Sequence, residues 1–278
     1  MQIMTQNTCA AILFLFSTSA IGQSTTSVQY LANEGLMVTH EETKVLFDPL
    51  YTNSYGQYQL VPAAMRDAIF AGEAPYDDVD AVFVSHHHGD HFSAEEILRL
   101  LRSQTSTKLY APAQAVSAIR DIANADDEQV LERLVGLDLD YGDAPVSIRA
   151  EGIIVDAVHI PHSGWPTART DVQNIAFRVT LDDNSTVLHL GDADPRTVHF
   201  ESDEEYWEER TVDLAFPPYW WFMSEDGLEL LDNRIDVTHS IGIHVPDEFR
   251  NQASIPAELL GQELFTNPGE GRRFTGSQ

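Results

Sequence analysis

Ser85-His86-His87-His88-Gly89-Asp90-His91-Phe92 decides the reading of this 278-residue chain. The stretch carries the pattern His-x-His-x-Asp-His, four potential metal ligands within six residues. Before it, the compact β-branched run from Val79 to Val84 reads as a buried strand. After it, Ser93 and Glu96 form a capping box, and Ile97, Leu98 and Leu101 share one face of the helix that follows. A loop at a strand end lets alternate side chains converge on one point. Imidazole and carboxylate donors together suit zinc first, and iron or manganese after it. A merely solvated loop has no need of a carboxylate between histidines.

Outward from this loop, the chain reads as strands, then helices, twice over. Val28 to Leu31, Leu36 to Thr39 and Lys44 to Phe47 are short strands in a hairpin-rich opening. Asp48 to Asp80 is polar and long for a connection, with a helix over Ala63 to Phe70, and long loops tend to be functional. Leu109-Tyr110 reads as a strand, and Ala113 to Ile122 and Asp127 to Leu134 as helices. Val146 to Ile148, Ile153 to Val158, Ile175 to Leu181, Thr186 to Leu190, Val212 to Phe216 and Ile235 to Thr238 are further strands, with a helix near Leu228 to Leu231. No Gly/Pro/Ser-rich linker interrupts them, which predicts one domain whose two halves each contribute a sheet and helices. Thr266 to Gln278 reads as a loosely held tail.

Forty-four acidic residues stand against 16 lysines and arginines, a formal charge of -28 with a pI near 4.4. A nucleic-acid binder needs cations to neutralise phosphates, so this balance excludes that class as an expectation. The same charge opposes stable association with anionic membranes.

Residues 1–22 carry no charged side chain, and Ala10 to Phe16 forms an apolar run followed by small residues from Ser17 to Gly22. This reads as a secretory signal peptide, leaving a mature domain over 23–278 and a periplasmic or secreted location. The apolar run is too short to span a bilayer. Cys9 is the only cysteine. Cleavage would leave a mature chain with neither disulfides nor thiolate ligands.

The His-x-His-x-Asp-His loop resembles the signature of the metallo-β-lactamase fold superfamily, and three later elements agree in order. Val158-His159-Ile160-Pro161-His162 is similar to the superfamily's downstream histidine element, His189-Leu190-Gly191-Asp192 to its Gly-Asp pair, and Ile241-Gly242-Ile243-His244 to its last histidine. The resemblance implies an αββα sandwich of the α/β class with the metals at one edge. It also implies two divalent metal ions, zinc first: His86, His88 and His162 on one, Asp90, His91 and His244 on the other, and Asp192 bridging. A hydroxide shared by two such ions attacks a carbonyl or phosphoryl centre, and Asp90 both ligates and orients it. Tyr30 to Gly35, Leu46 to Pro49 and Leu188 to Asp192 look most similar to the lactonase-like branch that includes ascorbate-phosphate lactonase and N-acylphosphatidylethanolamine phospholipase D relatives.

The implied activity is hydrolysis of a small ester, lactone, amide or phosphodiester. β-Lactamase-like activity and a non-haem iron redox role are the alternatives, and a small molecule is the expected partner. Among the remaining histidines, His189 and His239 read as core residues or supports for the ligands, His87 as pointing away from the metals, and His40 and His199 as surface residues. Tyr219-Trp220-Trp221-Phe222 reads either as core or as the wall of a substrate pocket. Glu201 to Glu209 reads as a solvated acidic face.

Overall fold

The computed structural model describes residues 24–202 and 204–275. The expected leader and Cys9 lie outside them. Six strands open the first sheet's account: β1 (Thr25–Ala32), β2 (Gly35–His40), β3 (Thr43–Phe47), β4 (Ala81–Phe83), β5 (Lys108–Pro112) and β6 (Leu134–Leu137). The second sheet holds β7 (Val146–Ala150), β8 (Ile153–His159), β9 (Ile175–Leu181), β10 (Ser185–His189), β11 (Val212–Phe216) and β12 (Val237–Ser240). β13 (Gly271–Thr275) returns to the first, giving orders β13-β1-β2-β3-β4-β5-β6 and β12-β11-β10-β9-β8-β7. Each sheet is antiparallel on one side and parallel on the other, with β3 to β6 and β10 to β12 running parallel.

Alternation along the strands explains why the sheets stack. In β3, Val45 and Phe47 point between the sheets and Leu46 points outward; in β4, Ala81 and Phe83 point in and Val82 out. Both faces are therefore covered, as parallel strands require. Phe47, Phe83 and Phe177 fill the space between the sheets, with Phe83 5.1 Å from Phe177 across it. Helices α1 (Ala63–Ala71), α2 (Ala94–Ser103) and α3 (Ala113–Ile122) cover the outer face of the first sheet. Phe200, Trp207, Trp221 and Leu230 cover that of the second. The expected αββα sandwich is the observed architecture.

Several local expectations need correction. The Ser93 cap forms only by half: Ser93 Oγ accepts from Glu96 N at 3.4 Å, but Ser93 N donates to Leu50 O at 3.1 Å, so the reciprocal bond has no donor left. The helix expected to reach Leu134 stops at Leu131, because Leu134 starts β6 beside β5. The C-terminal segment is no loose tail, since Gly271 to Thr275 pair antiparallel with β1. His40 and His199 are buried rather than on the surface, and His239 is exposed on β12 rather than in the core. The acidic face from Glu201 to Glu209 is interrupted by Trp207, which is buried, and by Tyr206, whose ring lies 4.0 Å from the Arg178 guanidinium.

Candidate metal centre

The candidate ligands collect at the carboxyl ends of β4, β8 and β10, the side of an α/β sheet where ligands commonly bind. His86 and His88 leave β4 directly. His162 follows Pro161, two residues past the end of β8, and is tied to the β10 loop: His162 bridges Ala193, Ser163 N donates to Asp192 O at 2.7 Å, and Asp194 N donates to Pro161 O at 2.8 Å. His244 follows β12 and takes a left-handed φ of 57°. Such backbone in a non-glycine residue is uncommon and recurs at functional sites.

Two overlapping groups result. In the first, His86 Nε2 lies 3.0 Å from His88 Nδ1, His88 Nδ1 3.2 Å from His162 Nε2, and His162 Nε2 3.0 Å from Asp192 Oδ2. In the second, Asp192 Oδ1 lies 3.2 Å from His244 Nε2 and 3.4 Å from His91 Nε2, while Asp90 Oδ2 lies 3.4 Å and 3.8 Å from the same two nitrogens. Donors about 2.0–2.2 Å from one tetrahedral cation stand roughly 3.4 Å apart, which is the spacing seen in both groups. Asp192 faces one group with each oxygen. All seven residues singled out in the sequence are thus brought together.

Hydrogen bonds fix which nitrogens are free. His162 Nδ1 donates to Ser163 O at 2.8 Å, which leaves the Nε2 lone pair toward the centre. Asp48 Oδ2 accepts from His91 Nδ1 at 2.9 Å and from Ser85 Oγ at 2.6 Å, and Ser85 Oγ in turn accepts from His86 Nδ1 at 3.0 Å. These partners set the tautomers of His86 and His91 with Nε2 lone pairs inward. His91 Nε2, His244 Nε2 and Asp192 Oδ1 are buried without a hydrogen-bond partner among the described residues. Buried polar atoms that converge on one point without partners are what a cation would satisfy, so the donor set fits metal binding.

The electrostatics follow from burial and crowding. Burial pushes His88 down to about 4, with His162 adding to the effect, and burial with the neighbouring His91 pushes His86 well below its ordinary value. Burial alone would raise Asp192, but His244 and His91 outweigh it and hold the carboxyl well below the usual range. His86 and His88 kept neutral and Asp192 kept ionised are protonation states that ligation needs, whereas Asp192 and Glu34 outweigh burial and raise His91 well above its ordinary value, a proton that a bound cation would displace.

Several supporting residues escaped the sequence reading. Asp48, at a left-handed φ of 37°, orients His91 and holds Ser85 N at 2.7 Å. Asn174 accepts from Asp192 N at 2.9 Å and donates to Ile160 O and Leu190 O, joining the two ligand loops. Gly191 is obligatory beneath this junction: at φ 55°, a Cβ would meet Asn174 Oδ1 at 2.5 Å and Ser85 Cβ at 2.6 Å. The hairpin tip Asn33-Glu34 is fully buried, with Asn33 Nδ2 donating to Asp90 O at 3.0 Å and Asn33 O accepting from His244 N at 2.8 Å. The Leu46–Pro49 and Tyr30–Gly35 segments stood out by resemblance alone; nothing in their composition marks Asp48 or Glu34 as site residues.

Among the other candidates, His189 is a core residue stacked 5.1 Å from Phe47, its Nε2 donating to Glu34 O at 3.1 Å. His87 is exposed and points away, as expected. His159 turns aside to donate from Nδ1 to Leu139 O at 2.9 Å. The aromatic run divides: Trp221 is core, whereas half-buried Trp220 lies 5.2 Å from the His244 ring, which also meets Tyr58 edge-on at 4.3 Å.

Residues 43–222, more than half of the chain, match the family described as the beta-lactamase superfamily domain. The chain belongs to the metallo-β-lactamase superfamily. It is accordingly a metal-dependent hydrolase of that superfamily, with His/Asp groups fit for divalent cations. No curated protein sequence matches it. Among solved structures, it is similar to Igni18, a metallo hydrolase from the hyperthermophilic archaeon Ignicoccus hospitalis (16% identity, TM-score 0.59, 91% of this chain and 100% of that one). It is also similar to an isothiocyanate hydrolase from Delia radicum gut bacteria (14%, 0.60, 90% and 100%). CmlA, a diiron β-hydroxylase from Streptomyces venezuelae, shares the fold at 14% identity and a TM-score of 0.52, over 90% of this chain and 54% of CmlA. At these identities the likeness concerns architecture alone.

Proposed function

We propose that this superfamily member is a dinuclear hydrolase of a small ester, lactone, amide or phosphodiester. His86, His88 and His162 would hold the first cation and Asp90, His91 and His244 the second, with Asp192 offering one carboxylate oxygen to each group. The observation that carries this reading is the division of Asp192, with Oδ2 3.0 Å from His162 and Oδ1 3.2 Å from His244. Divalent cations held there would supply an acidified water molecule and a Lewis acid for the substrate oxygen. The three imidazoles of the first group favour zinc there.

The chain's own side chains do the rest. Asp90 orients the attacking water, its backbone held by Asn33 so that the carboxylate faces His244 and His91. Tyr58 and Trp220, whose rings lie 4.3 Å and 5.2 Å from that of His244, give an apolar substituent of the substrate a surface to lie on. The protein acts outside the cytoplasm, in the periplasm or secreted, its first 22 residues a cleaved leader; the uncharged apolar start supports this.

Metal-quantified protein assayed against lactones, phosphodiesters, carboxyl esters, amides and β-lactams tests the reading. Two metals per chain and turnover of a member of the first four groups are expected, abolished by chelation and restored by metal. Full turnover with one metal would refute the dinuclear arrangement, and turnover of β-lactams alone would replace the substrate class. N-terminal sequencing of native protein should begin near Gln23, and an intact Met1 in the cytosol would refute export.

A further inference from the structure

Residues 48–62, which join β3 to α1, contain neither helix nor strand, yet loops on both sides of the metal centre hold them. On one side, Asn53 N donates to Gly89 O of the His-rich loop at 3.0 Å, and a Cβ added at Gly89 would meet Asn53 Cβ at 3.1 Å. On the other, Asp247 N, three residues beyond His244, donates to Gln57 O at 2.8 Å. Between these ties the chain reverses at Tyr55 and Gly56, with left-handed φ of 47° and 67°, a conformation that a non-glycine residue keeps where its surroundings fix it. The half-buried Tyr58 ring then lies edge-on to His244 at 4.3 Å. Tyr51, in the same segment, spends its hydroxyl on Gln59 O at 2.8 Å, whereas the Tyr58 hydroxyl bonds to no described residue. After burial, the charges of Asp192 and Asp90 do most to raise the Tyr58 phenol, which stands in the field of the metal-binding carboxylates.

Resting on the hydrolase reading above, we infer that Tyr58 is a catalytic residue whose hydroxyl donates a hydrogen bond to the leaving oxygen of an alkyl ester, lactone or alkyl phosphodiester. Water forms the new bond to the carbonyl or phosphoryl centre, and the C–O or P–O bond breaks with its electron pair on the leaving oxygen. The proton that the water gives up ends on that oxygen, so Tyr58 keeps its own proton and returns unchanged. A donor already placed where charge develops counts most when the leaving alkoxide is a strong base. A nitrophenolate spreads its charge over the ring and needs the bond little. An amide nitrogen, its lone pair delocalised into the carbonyl, accepts poorly. The unbonded phenol therefore favours oxygen esters over amides and narrows the substrate class.

Ethyl and 4-nitrophenyl esters of the acyl or phosphoryl group that wild type accepts, assayed with metal-replete wild type and Tyr58→Phe, test this. Losing an unbonded hydroxyl leaves the ring against His244, so the variant should keep the metal content and Tm of wild type. Its kcat on the ethyl ester should fall about 100- to 1,000-fold, the cost of removing one donor to a developing oxyanion, with KM little changed. On the 4-nitrophenyl ester the loss should stay below about 10-fold, because that leaving group stabilises its own charge. Equal losses on the two esters, no loss on either, or a loss confined to KM would overturn the role of Tyr58 and leave the hydrolase reading in place. Depleted metal or a lower Tm in the variant would show Tyr58 to be a support for His244 and not a catalytic residue. Wild type that cleaves amides and no oxygen ester would overturn this inference alone. Metal-replete wild type that hydrolyses none of the substrates screened above would overturn both.

Discussion

Asp48 Oδ2 accepts a hydrogen bond from His91 Nδ1 at 2.9 Å, and the same carboxylate holds both the backbone N and the hydroxyl of Ser85. One buried side chain at the end of β3 therefore aims two histidines of the β4 loop. Asp48→Asn keeps the shape and tolerates the left-handed backbone, but weakens the acceptor that fixes the His91 tautomer. Metal affinity should fall about 10- to 100-fold with the fold intact. Competition with a chromogenic chelator measures it, and wild-type affinity would show that Asp48 does not position His91.

His162 and His159 should separate cleanly. His162→Ala removes one of three imidazoles from the first group and should lose about one metal equivalent and nearly all activity. His159 is engaged with Leu139 O instead, so His159→Ala should keep both metals and lose at most roughly 10- to 100-fold. Elemental analysis of both purified variants decides; depletion in His159→Ala with a replete His162→Ala would reverse the assignment.

Gly191→Ala forces a Cβ into Asn174 Oδ1 and Ser85 Cβ at a left-handed φ. Overpacking together with the backbone penalty should cost about 2–4 kcal/mol. Urea denaturation reads the stability, and metal retention should fall as well, because Asn174 also accepts from Asp192 N. A variant as stable as wild type would mean that the loop relaxes freely.

Asp194 supplies the pH-dependent test. Burial would raise its carboxyl, but hydrogen bonds from His199 and Arg196 outweigh this and hold it well below the ordinary range. A depressed folded pKa stabilises the protein above the unfolded value of about 3.9, and this contribution is lost as pH falls through the folded pKa. Asp194→Asn should therefore cost about 1.5–3 kcal/mol at neutral pH, the range for hydrogen bonds to a charged group, and progressively less below about pH 4. Denaturation curves at pH 7 and pH 3 check the sign; a penalty that grows in acid would contradict it.

The sequence by itself determined the kind of chemistry and the two-layered fold. His-x-His-x-Asp-His is dense because one short loop must supply four donors, and β9, β11 and α3 are legible because strand and helix periods sort apolar side chains locally. Pro161 likewise separates His162 from His159, since a residue without an N–H ends the ladder.

Only the tertiary structure decided which residues serve the ligands. Asp48, Asn174 and Asn33 lie 43, 18 and 57 positions from their partners His91, Asp192 and Asp90 in the chain, so no spacing announces them. The burial of His40 and His199 and the exposure of His239 have the same cause. A polar turn and a strand end look alike in sequence whether or not another element packs over them, and the partners here are Thr26, itself bonded to Ser185, at His40, and Tyr141 and Asp194 at His199. Burial of a polar group is a property of its surroundings, and those are assembled only when the two sheets close.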